Sequence, residues 1–80
     1  MEEIEVTARF SPKGEIIPLT FILHGKPYKV DSIGRNWNTK DGYHILVMDL
    51  RNKVYHLLFK PEAAKWFLLP NGEVSATHKV

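Results

Sequence analysis

The sequence predicts an all-β protein: a single small antiparallel meander, curled into an SH3-like or open β-barrel. Apolar and polar residues alternate with a period of two in several short stretches, and each stretch ends at a Gly, Pro or Asn turn. The only segment with helical character, 61–65, is a single turn and too short to cover a sheet face. Curling a ribbon of short strands buries its apolar side and removes exposed edges.

In the first strand, about 4–10, Ile4, Val6, Ala8 and Phe10 point one way and Glu5, Thr7 and Arg9 the other. Ser11-Pro12-Lys13-Gly14 closes it with a turn. A second strand follows over about 15–23. Pro18 inside it cannot donate to a ladder, which predicts an edge, a bulge or a break there. After His24-Gly25-Lys26-Pro27, a third strand carries Tyr28 and Val30 on one face. Residues 33–37 read as its continuation beyond a Gly34 kink. Asn38–Gly42 is a polar loop.

The clearest hairpin pairs about 43–50 with 53–60. With Arg51-Asn52 as a two-residue turn, His44 faces Phe59, Leu46 faces Leu57 and Met48 faces Tyr55. Tyr43, Ile45, Val47, Val54, His56 and Leu58 then share the opposite face, which is also mostly apolar. A hairpin apolar on both sides needs a second cover from a folded-over strand, a helix or another subunit. A last hairpin, 66–69 with 74–77, ends the chain. No repeat or linker divides it, so residues 1–80 read as one domain.

Eighty residues with two Trp, three Tyr and four Phe suffice for one small core. The absence of Cys excludes disulfides and thiolate metal sites and fits a reducing cytosol. Met1-Glu2-Glu3 has no apolar region after it, and no apolar run is long enough to span a bilayer, so a cytoplasmic protein with no membrane partner is expected. Net charge is +2, unevenly spread. Residues 1–25 hold two cations against four Glu, whereas 26–60 hold seven cations against three Asp.

No catalytic pattern emerges. Ser11, Ser32 and Ser75 lack a nucleophile setting, and the glycines are spaced as turn formers rather than as a phosphate loop. Asp41 reads as a turn former before Gly42, and Asp49 as strand-end solvation beside Arg51. The expected hairpin register sends His44 and His56 to opposite faces, which argues against a shared metal ion. No cofactor and no enzymatic activity are expected.

The constellation that does suggest function interleaves cations with aromatics: Lys26, Tyr28, Lys29, Arg35, Trp37, Lys40 and Tyr43. Small β-barrels bind single strands with this mixture, since rings stack on bases while Lys and Arg hold phosphates. Tyr28, in phase with Val30, belongs with the core. Trp37, between two Asn, is expected to be exposed. The nucleic-acid contacts expected are therefore Lys26, Lys29, Arg35, Trp37 and Lys40.

Phe21-Ile22-Leu23-His24-Gly25-Lys26-Pro27-Tyr28-Lys29-Val30, followed by Trp37 and by Lys65-Trp66-Phe67-Leu68, resembles the pattern of one small family. That family is an uncharacterised all-β domain, found alone in bacteria and also appended to Y-family polymerase homologues of mutagenesis cassettes. Phe21, Gly25, Tyr28, Val30, Trp37, Trp66 and Leu68 match, over about 21–69. The resemblance implies a bacterial accessory domain near nucleic acid or a nucleic-acid-associated protein, without catalytic residues. The alternative expectation is a protein-interaction domain that forms a homodimer through the second apolar face of the 43–60 hairpin.

Overall fold

The computed structural model of the chain describes residues 1–70. Seven strands form it: β1 (Glu2–Phe10), β2 (Ile16–Leu23), β3 (Lys26–Lys29), β4 (Ser32–Thr39), β5 (Gly42–Met48), β6 (Val54–Lys60) and β7 (Lys65–Leu69). They make one antiparallel sheet in the order β3-β2-β1-β7-β6-β5-β4, curled into a half-barrel. The expected all-β architecture is present. Of the last expected hairpin, the first arm, 66–69, falls in β7, and the second, 74–77, lies outside the described residues.

The two ends of the sheet, β3 and β4, are consecutive pieces of one path. Following the antiparallel pairs around the sheet, both run in the same direction. The chain changes partner between them: Val30 N–H donates to the Leu19 carbonyl (2.9 Å), and Asp31 N–H donates to the Met48 carbonyl (2.8 Å). The expected continuation of the third strand is therefore a corner. β1 turns the other corner, pairing through Glu2–Ile4 with β7 and through Glu5–Phe10 with β2.

Pro18 sits at a bulge. Thr7 pairs with Thr20 and Ala8 with Pro18, so Leu19 is the extra residue. A second bulge sets Gly34 and Arg35 against Leu46, at the expected glycine. The β2–β3 turn is His24-Gly25, with φ of 53° and 78°, the left-handed pair that two-residue hairpins favour.

The single turn expected at 61–65 is present as a turn that does not extend into a helix. Ala63 N–H reaches Lys60 O and Ala64 N–H reaches Pro61 O, and Ala64 (φ 53°) turns the chain directly into β7. Four residues held by i→i+3 bonds are too few to propagate a helix.

The core fills the concave side. Tyr43, Ile45 and Val47 lie opposite Phe59, Leu57 and Tyr55, and join Ile4, Phe21 and Trp66. Phe21 is the hub. It stacks on Tyr28 at 5.3 Å and meets Tyr55 edge-on at 5.0 Å, so Tyr28 belongs to the core as its phase suggested.

The β5–β6 register differs from the expected one. His44 pairs with Leu58, Ile45 with Leu57, Leu46 with His56, and Val47 with Tyr55. The connection is a five-residue loop, Asp49–Lys53, not a two-residue turn. The Asp49 side chain causes the change. Its Oδ1 accepts the backbone N–H of Arg51 (2.8 Å) and of Lys53 (3.0 Å), and Asn52 takes φ 65°. Asp49 is thus the buried organiser of the loop, not a solvated strand end. A one-residue slip reverses which cross-strand side chains share a face. Consequently His44 and His56 lie on the same, outer face.

Candidate functional site

The loop that Asp49 organises faces β3 across the open end of the half-barrel. Between them lies a groove of about 420 Å³, lined by Lys26, Pro27, Tyr28, Lys29, Asp49, Leu50, Arg51, Lys53 and Tyr55. The corner at Val30 and Asp31 makes this possible, because the Asp31 hydrogen bond ties the end of β3 to the end of β5. Lys26 and Lys29, exposed on β3, then stand opposite Arg51 and Lys53, exposed on the loop.

The floor is aromatic and fixed. Tyr28 and Tyr55 lie 5.8 Å apart, and the Lys53 ammonium sits 5.5 Å over the Tyr55 ring. The Tyr55 hydroxyl donates to Asp49 Oδ2 at 3.1 Å. The backbone N–H of Lys53, above all, holds the Asp49 carboxyl below its ordinary range, with Arg51 N–H and the Tyr55 hydroxyl adding to the effect against partial burial. Burial, then the bond to Asp49, pushes the Tyr55 hydroxyl up to about 12. Both carboxylate oxygens of Asp49 are engaged, so the anion is built into the floor beneath four outward cations.

The expected patch is divided by the fold. Lys26 and Lys29 line the groove; Arg35, Trp37 and Lys40 do not. Lys40 lies in the β4–β5 turn, at the other end of β5. Trp37 is half-buried on the outer face rather than freely exposed. Its ring stacks parallel on His44 (5.1 Å between centroids, 5°), lies 5.3 Å from His56, and carries the Arg35 guanidinium at 5.1 Å. A base stacking on this ring would have to compete with groups already seated there.

His44 Nδ1 and His56 Nε2 approach to 2.8 Å, and His44 Nε2 bonds Thr39 Oγ1 at 2.8 Å. Sequence reasoning separated these histidines, and the register brings them together. Among the described residues no group of three or more His, Cys, Asp or Glu gathers as a metal ion would require. Asp49, Arg51, Lys53 and Tyr55 are the site residues that the sequence reading missed. The available signal was Asp49 itself, since an Asp at the head of a turn captures backbone N–H groups two and four residues on.

A second cavity, of about 510 Å³, opens where β1 changes partner from β7 to β2 and is lined by Glu3, Ile4, Glu5, Ile22, Ala64, Lys65 and Trp66. Its charge is mostly of the opposite sign, and Lys65 pairs with Glu3 at 3.6 Å.

Fold and groove together define a class: a small antiparallel half-barrel with a cationic groove at its open end. Comparison with protein-family models, curated proteins and solved structures gives no match. Among the described residues no helix is long and apolar enough to cross a membrane.

Proposed function

We propose that this protein is a non-enzymatic accessory module that binds single-stranded nucleic acid in the groove between β3 and the Asp49–Lys53 loop. The observation carrying this reading is the meeting of Lys26 and Lys29 with Arg51 and Lys53 around one cavity, with Asp49 as the only anion among the lining residues. Cations flanking an aromatic and apolar floor suit a phosphate-bearing chain with flat bases. The resemblance to a domain appended to Y-family polymerase homologues agrees with a place near nucleic acid. A cytosolic location suits a chain without cysteine.

Fluorescence anisotropy with a labelled single-stranded oligonucleotide tests the reading. Binding is expected at low ionic strength and should weaken steeply with salt, because each neutralised phosphate releases about 0.7 of a counterion. Arg51→Ala and Lys26→Ala should each weaken it. Absence of binding at low salt would end the reading.

Self-association through the outer face of β5 and β6 has less support. Trp37, His44 and His56 contact one another on that face, and Leu58, paired with His44, is buried. Sedimentation at high concentration would reveal a dimer if this face joins two copies.

A further inference from the structure

The four groove cations form a cluster, not a track. Lys26 and Lys29 share one short strand, Arg51 and Lys53 share one loop, and the cavity they line is about 420 Å³. That size falls in the lower part of the range for small-ligand sites. The cationic surface does not continue along β5. Lys40 lies beyond its far end, about 20 Å of strand away, and Arg35 lies over Trp37 on the outer face. A chain bound along its length presents one charge per phosphate and calls for cations spaced along a path. A compact cluster suits a group that concentrates charge on one phosphorus, and a phosphomonoester carries about −1.5 to −2 at neutral pH.

Resting on the nucleic-acid reading above, we infer that the groove is a terminal-phosphate site, taking the phosphomonoester end of a strand or of a free nucleotide. The four cations stand against one anion among the lining residues, Asp49. Both of its oxygens are engaged, by the N–H groups of Arg51 and Lys53 and by the Tyr55 hydroxyl. Asp49 is a positioning residue that fixes the loop from which Arg51 and Lys53 project. Arg51 offers a planar fork for two phosphate oxygens, while the lysines act as point charges. Leu50, 72% exposed, and Pro27 give the adjoining sugar and base an apolar wall.

The test compares otherwise identical short single-stranded oligonucleotides ending in a 5′-phosphate, a 3′-phosphate or hydroxyls only, by anisotropy. Adenosine monophosphate, adenosine and inorganic phosphate serve as competitors. A phosphorylated end is expected to bind about tenfold tighter than the hydroxyl form. Adenosine monophosphate should displace it and adenosine should not. Arg51→Ala and Lys53→Ala should remove the preference, and Lys13→Ala, in the β1–β2 turn, should leave it intact. Equal affinity for phosphorylated and hydroxyl ends overturns this inference and leaves strand binding standing. Binding of adenosine monophosphate without binding of any oligonucleotide upholds the phosphate site and overturns the strand reading. Binding of neither overturns both.

Discussion

His44 Nδ1 lies 2.8 Å from His56 Nε2 in a direct hydrogen bond between two buried imidazoles on adjacent strands. Such a bond needs one N–H and one lone pair, so a single bridging proton joins the rings. Removing either ring strands a buried polar partner, which costs about 1–3 kcal/mol. His44→Ala and His56→Ala are each expected to lower stability by about 2 kcal/mol in urea unfolding. The double variant should lose clearly less than the two singles added, with a coupling of about 1 kcal/mol. Additive losses would mean that the rings act independently.

Trp37 packs on this pair, so its substitution should act on stability rather than on ligand affinity. Trp37→Ala is expected to cost about 2 kcal/mol, less than for a fully buried Trp because the ring is half-exposed. Oligonucleotide affinity of the folded variant should stay within about twofold, a shift of under ~0.5 kcal/mol. A large loss of affinity in a protein of undiminished stability would return Trp37 to the binding surface.

Among the described glycines, Gly42 is the one least able to carry a side chain. A Cβ there would collide with the Phe59 carbonyl, and φ of 141° strains any L-residue. Gly25 (φ 78°) also takes a positive φ, but nothing lies within 4 Å of its added Cβ. Gly42→Ala should therefore destabilise by about 3 kcal/mol or prevent folding, against about 1 kcal/mol for Gly25→Ala. Equal losses in urea unfolding would contradict the steric argument.

Asp49 and Tyr55 give stability two pH limits. The Asp49 pKa is depressed by Lys53 N–H first, so its contribution is present above the ordinary carboxylate value and is lost as pH falls through the depressed one. Asp49→Asn should flatten that acid limb in melting curves. For Tyr55 the pKa is raised to about 12, so its contribution is complete below the ordinary value near 10 and is lost as pH rises from there to about 12. Absorbance titration should show a late tyrosine phase at about pH 12, and Tyr55→Phe should abolish that phase. A wild-type protein without such a late phase would refute the assignment.

The period-two alternation was enough, by itself, to determine the fold class and most of the strands, although it ran β3 and β4 together as one. The phase was legible within the unbulged segments: Ile45 and Val47 share a face, as do Tyr28 and Val30, and Pro18 forced an irregularity where a bulge stands. What alternation does not carry is the register between strands. Phase is a property of one segment, whereas register depends on how many residues the intervening turn consumes. A single carboxylate, Asp49, lengthened that turn from two residues to five and exchanged the faces that the two hairpin strands share.

The same limit governs the site. Lys26 and Lys29 were visible as basic residues, but only tertiary hydrogen bonds at Val30 and Asp31 set them against Arg51 and Lys53, more than twenty positions away in the chain. Arg35, Trp37 and Lys40 are near them in sequence and turned away in space. The sequence also required that the outer side of β5 and β6 be covered, without naming the cover. The fold supplies it from within, with Trp37 laid over a bonded pair of histidines, because a buried polar pair is tolerated only where each ring meets the other.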